Sequence, residues 1–197
     1  MRLALVSGAL VAVLAITAGL LLTRGGDDAD FRGSQPPEGI ALPAFSLRDD
    51  EGKVVGSGEF RDKAVAVTFL DTRCTEACPI IAAQMGQAVR ALGDRAGDVE
   101  ALAISVDPLR DTPAKIDAFL RRYRAKGALR YLNGSVTELR PVWKAFAVAA
   151  AHDTGNPNMH SAPVRVFDSS GMWRSTLHPG VDLTAASLAH DLRVAAG

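Results

Sequence analysis

Cysteine is scarce in this 197-residue chain, which contains two, and no charge of either sign predominates. A zinc finger would need a second Cys or Cys/His pair at finger spacing, so two cysteines exclude that class of site. The 22 basic residues balance the 22 acidic ones, and no basic cluster alternates with aromatic residues. The sequence therefore predicts no nucleic acid among the partners.

Both cysteines, Cys74 and Cys78, fall within five positions, and Pro79 follows directly. The run before them, residues 64–70, is apolar and rich in β-branched residues, which is typical of a strand buried on both faces of a sheet. Apolar residues after Pro79 recur at helical spacing, and proline suits the first turn of a helix. The pattern predicts strand, loop and helix, with Cys78 at the helix start, where the helix dipole should lower its thiol pKa.

The cysteine pair has several interpretations. A structural disulfide would close a loop of about five residues and contribute roughly 2 kcal/mol, which a domain of this size hardly needs. Two unrelated core thiols fit poorly with this spacing and with the adjacent proline. Two thiolates can instead exchange disulfides or bind a soft metal. Residues four apart on a helix lie about 40° apart, so both sulfurs can face one point.

Copper(I) accepts low coordination numbers and prefers sulfur, with imidazole as a suitable third ligand. His160 is the first candidate for that ligand because it stands at the end of a long predicted loop, residues 150–161, directly before a predicted strand. His152 in the same loop is the alternative. Met159 is a soft thioether beside His160, and packing is favoured over copper contact for this side chain.

The N-terminal region carries an apolar run, Leu3 to Leu22, without a charge. At 1.5 Å per residue this run spans roughly 30 Å, the thickness of a bilayer core. Residues 1–24 are therefore predicted to be a transmembrane anchor or signal segment, and an uncleaved anchor is favoured because no small-x-small cleavage site or lipidation cysteine follows. Arg2 before the run favours a cytoplasmic N-terminus. The expected location is the cell membrane, single-pass, with the folded domain on the extracytoplasmic side.

Residues 25–41 combine glycine, aspartate and proline without an apolar period, which predicts a flexible tether. Residues 42–197 are long enough for one domain with its own core. Strands alternate with helices there and a hairpin and a last helix follow, which predicts an α/β domain with a mixed sheet.

Local signals predict several elements around the cysteines. Hairpins are expected over 44–55 and 162–177, strands over 99–106 and 128–132, and a last helix over about 183–194. Thr112 and Pro113 predict a helix start, and the basic residues of that helix are interpreted as a solvated face. Ser135 and Glu138 form a capping box for the next helix, which Pro141 should kink or restart.

Three motifs occur in order: Cys74 to Pro79 (C-x-x-x-C-P), residues 105–113 (S-V-D-P-L-R-D-T-P), and His160-Ser161 before a strand that ends at Asp168. With them the chain resembles the Sco/SenC family, the membrane-tethered copper chaperones of cytochrome c oxidase assembly. The resemblance implies a thioredoxin-like, peroxiredoxin-related fold, and it makes Cys74, Cys78 and His160 the ligands of a copper ion, as copper(I) with copper(II) as the alternative oxidation state. It implies cytochrome c oxidase subunit II as the client, and a monomer is expected.

Two positions depart from the family pattern, and three rival functions fit the same residues. Met159 stands where many members have an acidic residue that could orient the imidazole. Asp71 stands where many members have an apolar residue; it could cap the loop, which is the favoured interpretation, or raise a thiol pKa. The main rival is a thiol:disulfide oxidoreductase that uses Cys74 and Cys78 as a redox-active pair. A copper or redox sensor and, less well, a peroxiredoxin-like peroxidase are the others.

Overall fold

The fold is built on a five-stranded sheet whose middle strand leads into the cysteine loop. The computed structural model describes residues 31–156, 158 and 162–197. The strands are β1 (Ser46–Arg48), β2 (Val54–Gly56), β3 (Ala64–Leu70), β4 (Val99–Ser105), β5 (Arg130–Leu132), β6 (Val164–Phe167) and β7 (Trp173–Leu177). The large sheet has the order β5-β4-β3-β6-β7, and β1 and β2 form a separate antiparallel hairpin. Because β3 pairs in parallel with β4 and antiparallel with β6, the sheet is mixed, as predicted.

Helices cover both faces of this sheet. They are α1 (Ala77–Arg90), α2 (Pro113–Arg122), α3 (Val136–Ala145), α4 (Ala151–Thr154) and α5 (Ala185–Ala196), with 3-10 turns over Ser57–Phe60 and Gly93–Asp98. Helices α1, α2 and α5 pack on one face, in the apolar cluster that contains both cysteines. Helix α3 and the β1–β2 hairpin pack on the other face. All seven residues of β3 are buried, since both of its faces are covered.

Two local predictions need correction. Helix α3 begins with the predicted capping box, Ser135 and Glu138, but it does not restart at Pro141, which lies inside the helix. The proline removes one backbone hydrogen bond, and the buried side chains of Leu139 and Trp143 on either side hold the short helix together. The predicted loop 150–161 also contains α4, a single helical turn that ends at Gly155, whose φ is 70°.

The tether prediction needs correction over residues 31–41, which lie along the edge of the sheet. Ser34 pairs with Thr176 of β7, and Ala41 pairs with Met172. The buried carboxylate of Asp191 on α5 accepts hydrogen bonds from the backbone N–H groups of residues 32 and 33, at 2.8 and 3.1 Å. The predicted anchor, residues 1–24, lies outside the described residues. Within the described ranges, no helix is long and apolar enough to cross a membrane.

Candidate metal and thiol site

The two thiols meet where the loop after β3 enters α1. Cys74 is 3% exposed and Cys78 is fully buried, and the two are not joined in a disulfide. The backbone N–H of Cys78 donates to the Cys74 sulfur, with 3.5 Å between the nitrogen and the sulfur. The backbone N–H of Cys74 donates to the Asp71 carbonyl oxygen at 3.1 Å, which folds the loop back toward the strand. The structure therefore brings together the two cysteines that the sequence predicted as a pair.

The two thiols have opposite shifts in pKa. The pKa of Cys74 is lowered from 9.0 to about 6, chiefly because the Cys78 thiol donates a hydrogen bond to it; burial opposes this shift, and the N–H groups of residues 76–78 add to it. The same bond raises the pKa of Cys78 far above its ordinary value, and burial raises it further. The predicted lowering at Cys78 is therefore wrong. The N–H groups of the first helical turn face the Cys74 sulfur, so Cys74 becomes the thiolate.

Asp71 caps the cysteine loop from a fully buried position. Its carboxylate accepts the backbone N–H of Arg73 at 2.8 Å and the Arg73 guanidinium at 3.0 Å. The favoured interpretation of Asp71, a loop cap, is confirmed. The negative charge of Asp71 also contributes to the raised pKa of Cys78, as the alternative interpretation expected. A hydrogen bond between the Asp71 backbone and the Cys78 thiol has the opposite effect and lowers that pKa.

Arg73 joins the cysteine loop to the exit of β4, a role that the sequence analysis missed. Its guanidinium bridges the buried carboxylates of Asp71 and Asp107. Arg110 also donates to Asp107, at 3.2 Å. A signal for this cluster was present, because Asp71 and Asp107 each follow one of two neighbouring strands whose carboxyl ends meet at one edge of the sheet.

Asp111, in the second motif, is the other group that holds the loop. Its buried carboxylate accepts the backbone N–H of Thr72 at 3.0 Å and the Thr72 hydroxyl at 2.6 Å. The hydroxyls of Ser105 and Tyr131 donate to its second oxygen at 2.6 and 2.7 Å. Burial raises the pKa of Asp111 despite these four donors. The motif 105–113 thus fixes the cysteine loop against β4 and β5.

The histidine candidates occupy different parts of the fold. His160 and Met159 lie outside the described residues, while the residues that flank them contact the site. Asn158 accepts the backbone N–H of Thr75 at 3.3 Å and donates to the Glu76 carboxylate at 3.2 Å. Ala162 packs in the apolar cluster that contains the cysteines. Within residues 31–156, 158 and 162–197, no three His, Cys, Asp or Glu side chains are grouped so that they could hold a metal ion.

His152 lies on α4, where its backbone N–H donates to the Val106 carbonyl oxygen at 2.9 Å. Its ring centroid is 6.2 Å from that of Trp143. Trp143 belongs to the apolar cluster on the α3 face of the sheet, whereas the cysteines belong to the cluster on the other face. This placement makes His152 the weaker candidate for a ligand that joins the two cysteines.

Comparisons with known proteins agree with these motifs. The family model SCO1/SenC matches residues 34–196. A SCO2-like protein of Rickettsia felis is 27% identical over 135 residues, which are 66% of this chain and 65% of that protein. Protein sco1 of Schizosaccharomyces pombe is 33% identical over 106 residues, 53% of this chain and 40% of the yeast protein. The chain thus spans less than two thirds of each of these two relatives.

Among solved structures, Bradyrhizobium japonicum ScoI with copper bound aligns with a TM-score of 0.68 and 28% identity, and covers 80% of this chain and 99% of that chain. The mixed sheet and its helices have the thioredoxin-like fold of the Sco proteins. The match to residues 34–196 includes both cysteines and the motif that holds their loop. The chain belongs to the SCO1/SenC family.

Proposed function

We propose that this protein is a copper chaperone that binds copper(I) through Cys74, Cys78 and His160. The observation that carries the proposal is the juxtaposition of two reduced thiols: the Cys78 N–H donates to the Cys74 sulfur, and the pKa of Cys74 is lowered to about 6. Two thiolates and one imidazole form a soft donor set that suits copper(I). Membership of the SCO1/SenC family and the likeness to copper-bound ScoI support the same metal.

Contacts made by the residues on either side of His160 support it as the third ligand. Asn158 contacts the cysteine loop through Thr75 and Glu76, and Ala162 packs in the cysteine cluster. His160 is two residues from each of them in sequence, and two residues of chain span at most about 7 Å. These contacts support His160 over His152, whose ring lies 6.2 Å from that of Trp143, a residue of the apolar cluster on the other face of the sheet.

The protonation of the two thiols determines what metal binding requires. Cys74 is largely ionised at neutral pH. Cys78 stays protonated, and its thiol donates a hydrogen bond to the Cys74 sulfur. Because cysteine binds a metal as the thiolate, copper(I) binding to both residues would release the Cys78 proton. Arg73, Asp71 and Asp111 would act as positioning residues, because they hold the loop without offering a sulfur or imidazole to the metal.

The client that we propose is the dinuclear copper site of cytochrome c oxidase subunit II, to which the protein would deliver copper or whose cysteines it would prepare. Family membership supports this proposal. The apolar run Leu3–Leu22 supports a membrane-tethered, extracytoplasmic domain. Alkaline extraction should leave the full-length chain in the membrane, and external protease should release the domain. Recovery of the intact chain in the cytosol would overturn the tethering.

A titration of reduced protein with copper(I), in competition with a chelator, tests the ligand set. One copper should bind per chain, and Cys74→Ser or Cys78→Ser should abolish tight binding. His160→Ala should weaken binding by at least the roughly 10- to 100-fold typical of disturbing even a group that orients a ligand. His152→Ala is the matched control and should bind as the wild type does. If His152→Ala weakens binding and His160→Ala does not, the proposed third ligand is wrong.

A thiol:disulfide oxidoreductase is the second candidate, and the pKa of Cys74 near 6 favours it. The Cys74 thiolate would attack a client disulfide and release one client thiol. Cys78 would then lose its proton and attack Cys74, releasing the second thiol and leaving the protein pair oxidised. His160→Ala separates the two functions: loss of copper affinity with retained disulfide reduction supports the chaperone. Unchanged affinity with lost reduction supports the oxidoreductase.

A further inference from the structure

Helix α2 presents a basic stripe to an open groove beside Cys74. Lys115, Ala118 and Arg122 recur at helical spacing and are exposed. The groove is lined by these three residues and by Thr72, Arg73, Cys74, Thr75, Phe119 and Tyr123. The two cations stand seven residues apart, about 10 Å along the helix, and the small Ala118 lies between them. The sequence predicted these bases as a solvated face, whereas the structure places two of them at the wall that contains a reactive thiol.

The charge of the groove has one sign. No Asp or Glu side chain is among its lining residues. The third cation, Arg73, is neutralised by Asp71 and Asp107 behind the loop. Lys115 and Arg122 take part in none of the ion pairs between described residues, and Arg122 lies with its guanidinium carbon 5.8 Å from the Tyr123 ring centroid. The whole chain has no net charge, so two cations without an ion-pair partner make the surface beside Cys74 locally positive. The aromatic side chains of Phe119 and Tyr123 line the same groove.

We propose that this groove docks an acidic segment of a partner protein and brings a partner sulfur to Cys74. Carboxylates of the partner would pair with Lys115 and Arg122, and an apolar side chain would cover Phe119. Charge complementarity of this kind mainly accelerates encounter and selects among partners. The inference deepens the proposed function, since its partner is one that exchanges copper or a disulfide with Cys74, but the docking itself can be measured without copper.

Disulfide-linked synthetic peptides serve as the probe, with two glutamates, two serines or two lysines beside the cysteine. The Cys74 thiolate attacks one peptide sulfur, the peptide S–S bond breaks, and one peptide leaves as a thiolate that takes a proton from water. The Cys78 sulfur then loses its proton and attacks Cys74, so the mixed disulfide breaks, the Cys74–Cys78 disulfide forms and the second peptide leaves as a thiol. The peptide disulfide thus gains the two electrons that the protein pair loses. The measured quantity is the second-order rate constant in low and in high salt.

The glutamate peptide should react about tenfold faster than the lysine peptide at low ionic strength, and salt should reduce the difference. The double variant K115E/R122E should reverse this order when each rate is divided by the rate of the same protein with the serine peptide, since the new charges also act on Cys74 itself. The matched control is K53E/R61E, which changes the net charge equally at two exposed residues that do not line the groove. The control should keep the wild-type preference.

Equal preferences in wild type and K115E/R122E, or an equal loss in the control, would overturn the proposal, since net charge alone would then explain the rates. Binding to anionic vesicles that K115E/R122E abolishes, without any peptide preference, would assign the groove to a lipid surface and also overturn it. Copper(I) affinity is measured on the wild-type protein as well. No tight copper(I) binding, together with a peptide preference that K115E/R122E reverses, would contradict the chaperone function and leave the docking groove standing.

Discussion

The backbone N–H of Cys78 donates to the sulfur of Cys74 across 3.5 Å, so the second cysteine of the motif stabilises the first as a thiolate. The Cys78 thiol donates to the same sulfur, and this bond is the largest cause of the lowered pKa of Cys74. The two residues therefore have unequal roles. In the proposed function Cys74, which lines the groove, would be the nucleophile and the first metal contact, and the buried Cys78 would complete the reaction or the metal site.

Alkylation of Cys74 should report this inequality. The rate with iodoacetamide should rise with pH through a midpoint of about 6, because the thiolate is the reactive form. Cys78→Ala removes the thiol donor and should shift the midpoint upward, toward or beyond the ordinary 9.0. The reason is that burial raises the pKa of Cys74, and the Cys78 hydrogen bond no longer offsets this effect. Cys78→Ser keeps a hydroxyl donor and should show a smaller shift. A midpoint near 9 in the wild-type protein would contradict this account.

Copper(I) affinity should depend on pH in two regimes. Between about pH 7.5 and 9 only Cys78 has a proton to lose, so the apparent affinity should rise about tenfold per pH unit. At lower pH a histidine ligand, whose ordinary pKa is about 6.5, and then Cys74 are also protonated, so the rise per pH unit should become steeper than tenfold. Competition with a chelator whose own protonation is known measures both slopes. A flat profile between about pH 7.5 and 9 would mean that Cys78 is not a ligand.

Removal of Arg73 should destabilise the fold. Arg73→Met leaves the carboxylates of Asp71 and Asp107, both fully buried, without their shared cation, and should lower the free energy of unfolding by about 3 kcal/mol. The control, Arg121→Met, breaks a surface pair with Asp117 and should leave stability unchanged within error. Denaturant unfolding at neutral pH measures both. Equal losses of unfolding free energy in the two variants would show that the buried ion pairs of Arg73 stabilise the fold no more than a surface pair does.

Asp111 should make stability depend on pH. Its folded-state pKa is raised above the ordinary 3.8, so its contribution is fully present below about pH 4 and is lost as pH rises through the folded-state value. The difference in unfolding free energy between wild type and Asp111→Asn should therefore shrink with rising pH, by at most about 1.4 kcal/mol per pH unit. Unfolding curves from pH 3.5 to 7.5 measure it. A difference that grows with pH would mean that the carboxylate prefers to be charged in the fold.

The sequence by itself determined the central strand, the helix after Pro79 and the capping box of Ser135 and Glu138, because each depends on local periodicity or on a cap three residues away. It also determined the family, through three motifs in order. The helix restart expected at Pro141 does not occur, because a local rule cannot include the buried side chains that hold α3 together around the proline.

Only the tertiary structure decided which sulfur is the thiolate. Both cysteines lie near the helix start in sequence, but hydrogen-bond direction and burial, which depend on the packed loop, favour the charge on Cys74. The contacts of Arg73 with Asp107 and of Asp111 with Thr72 join residues 34 and 39 positions apart. Their partners are set by the pairing of β3 with β4, a long-range register that no local pattern encodes.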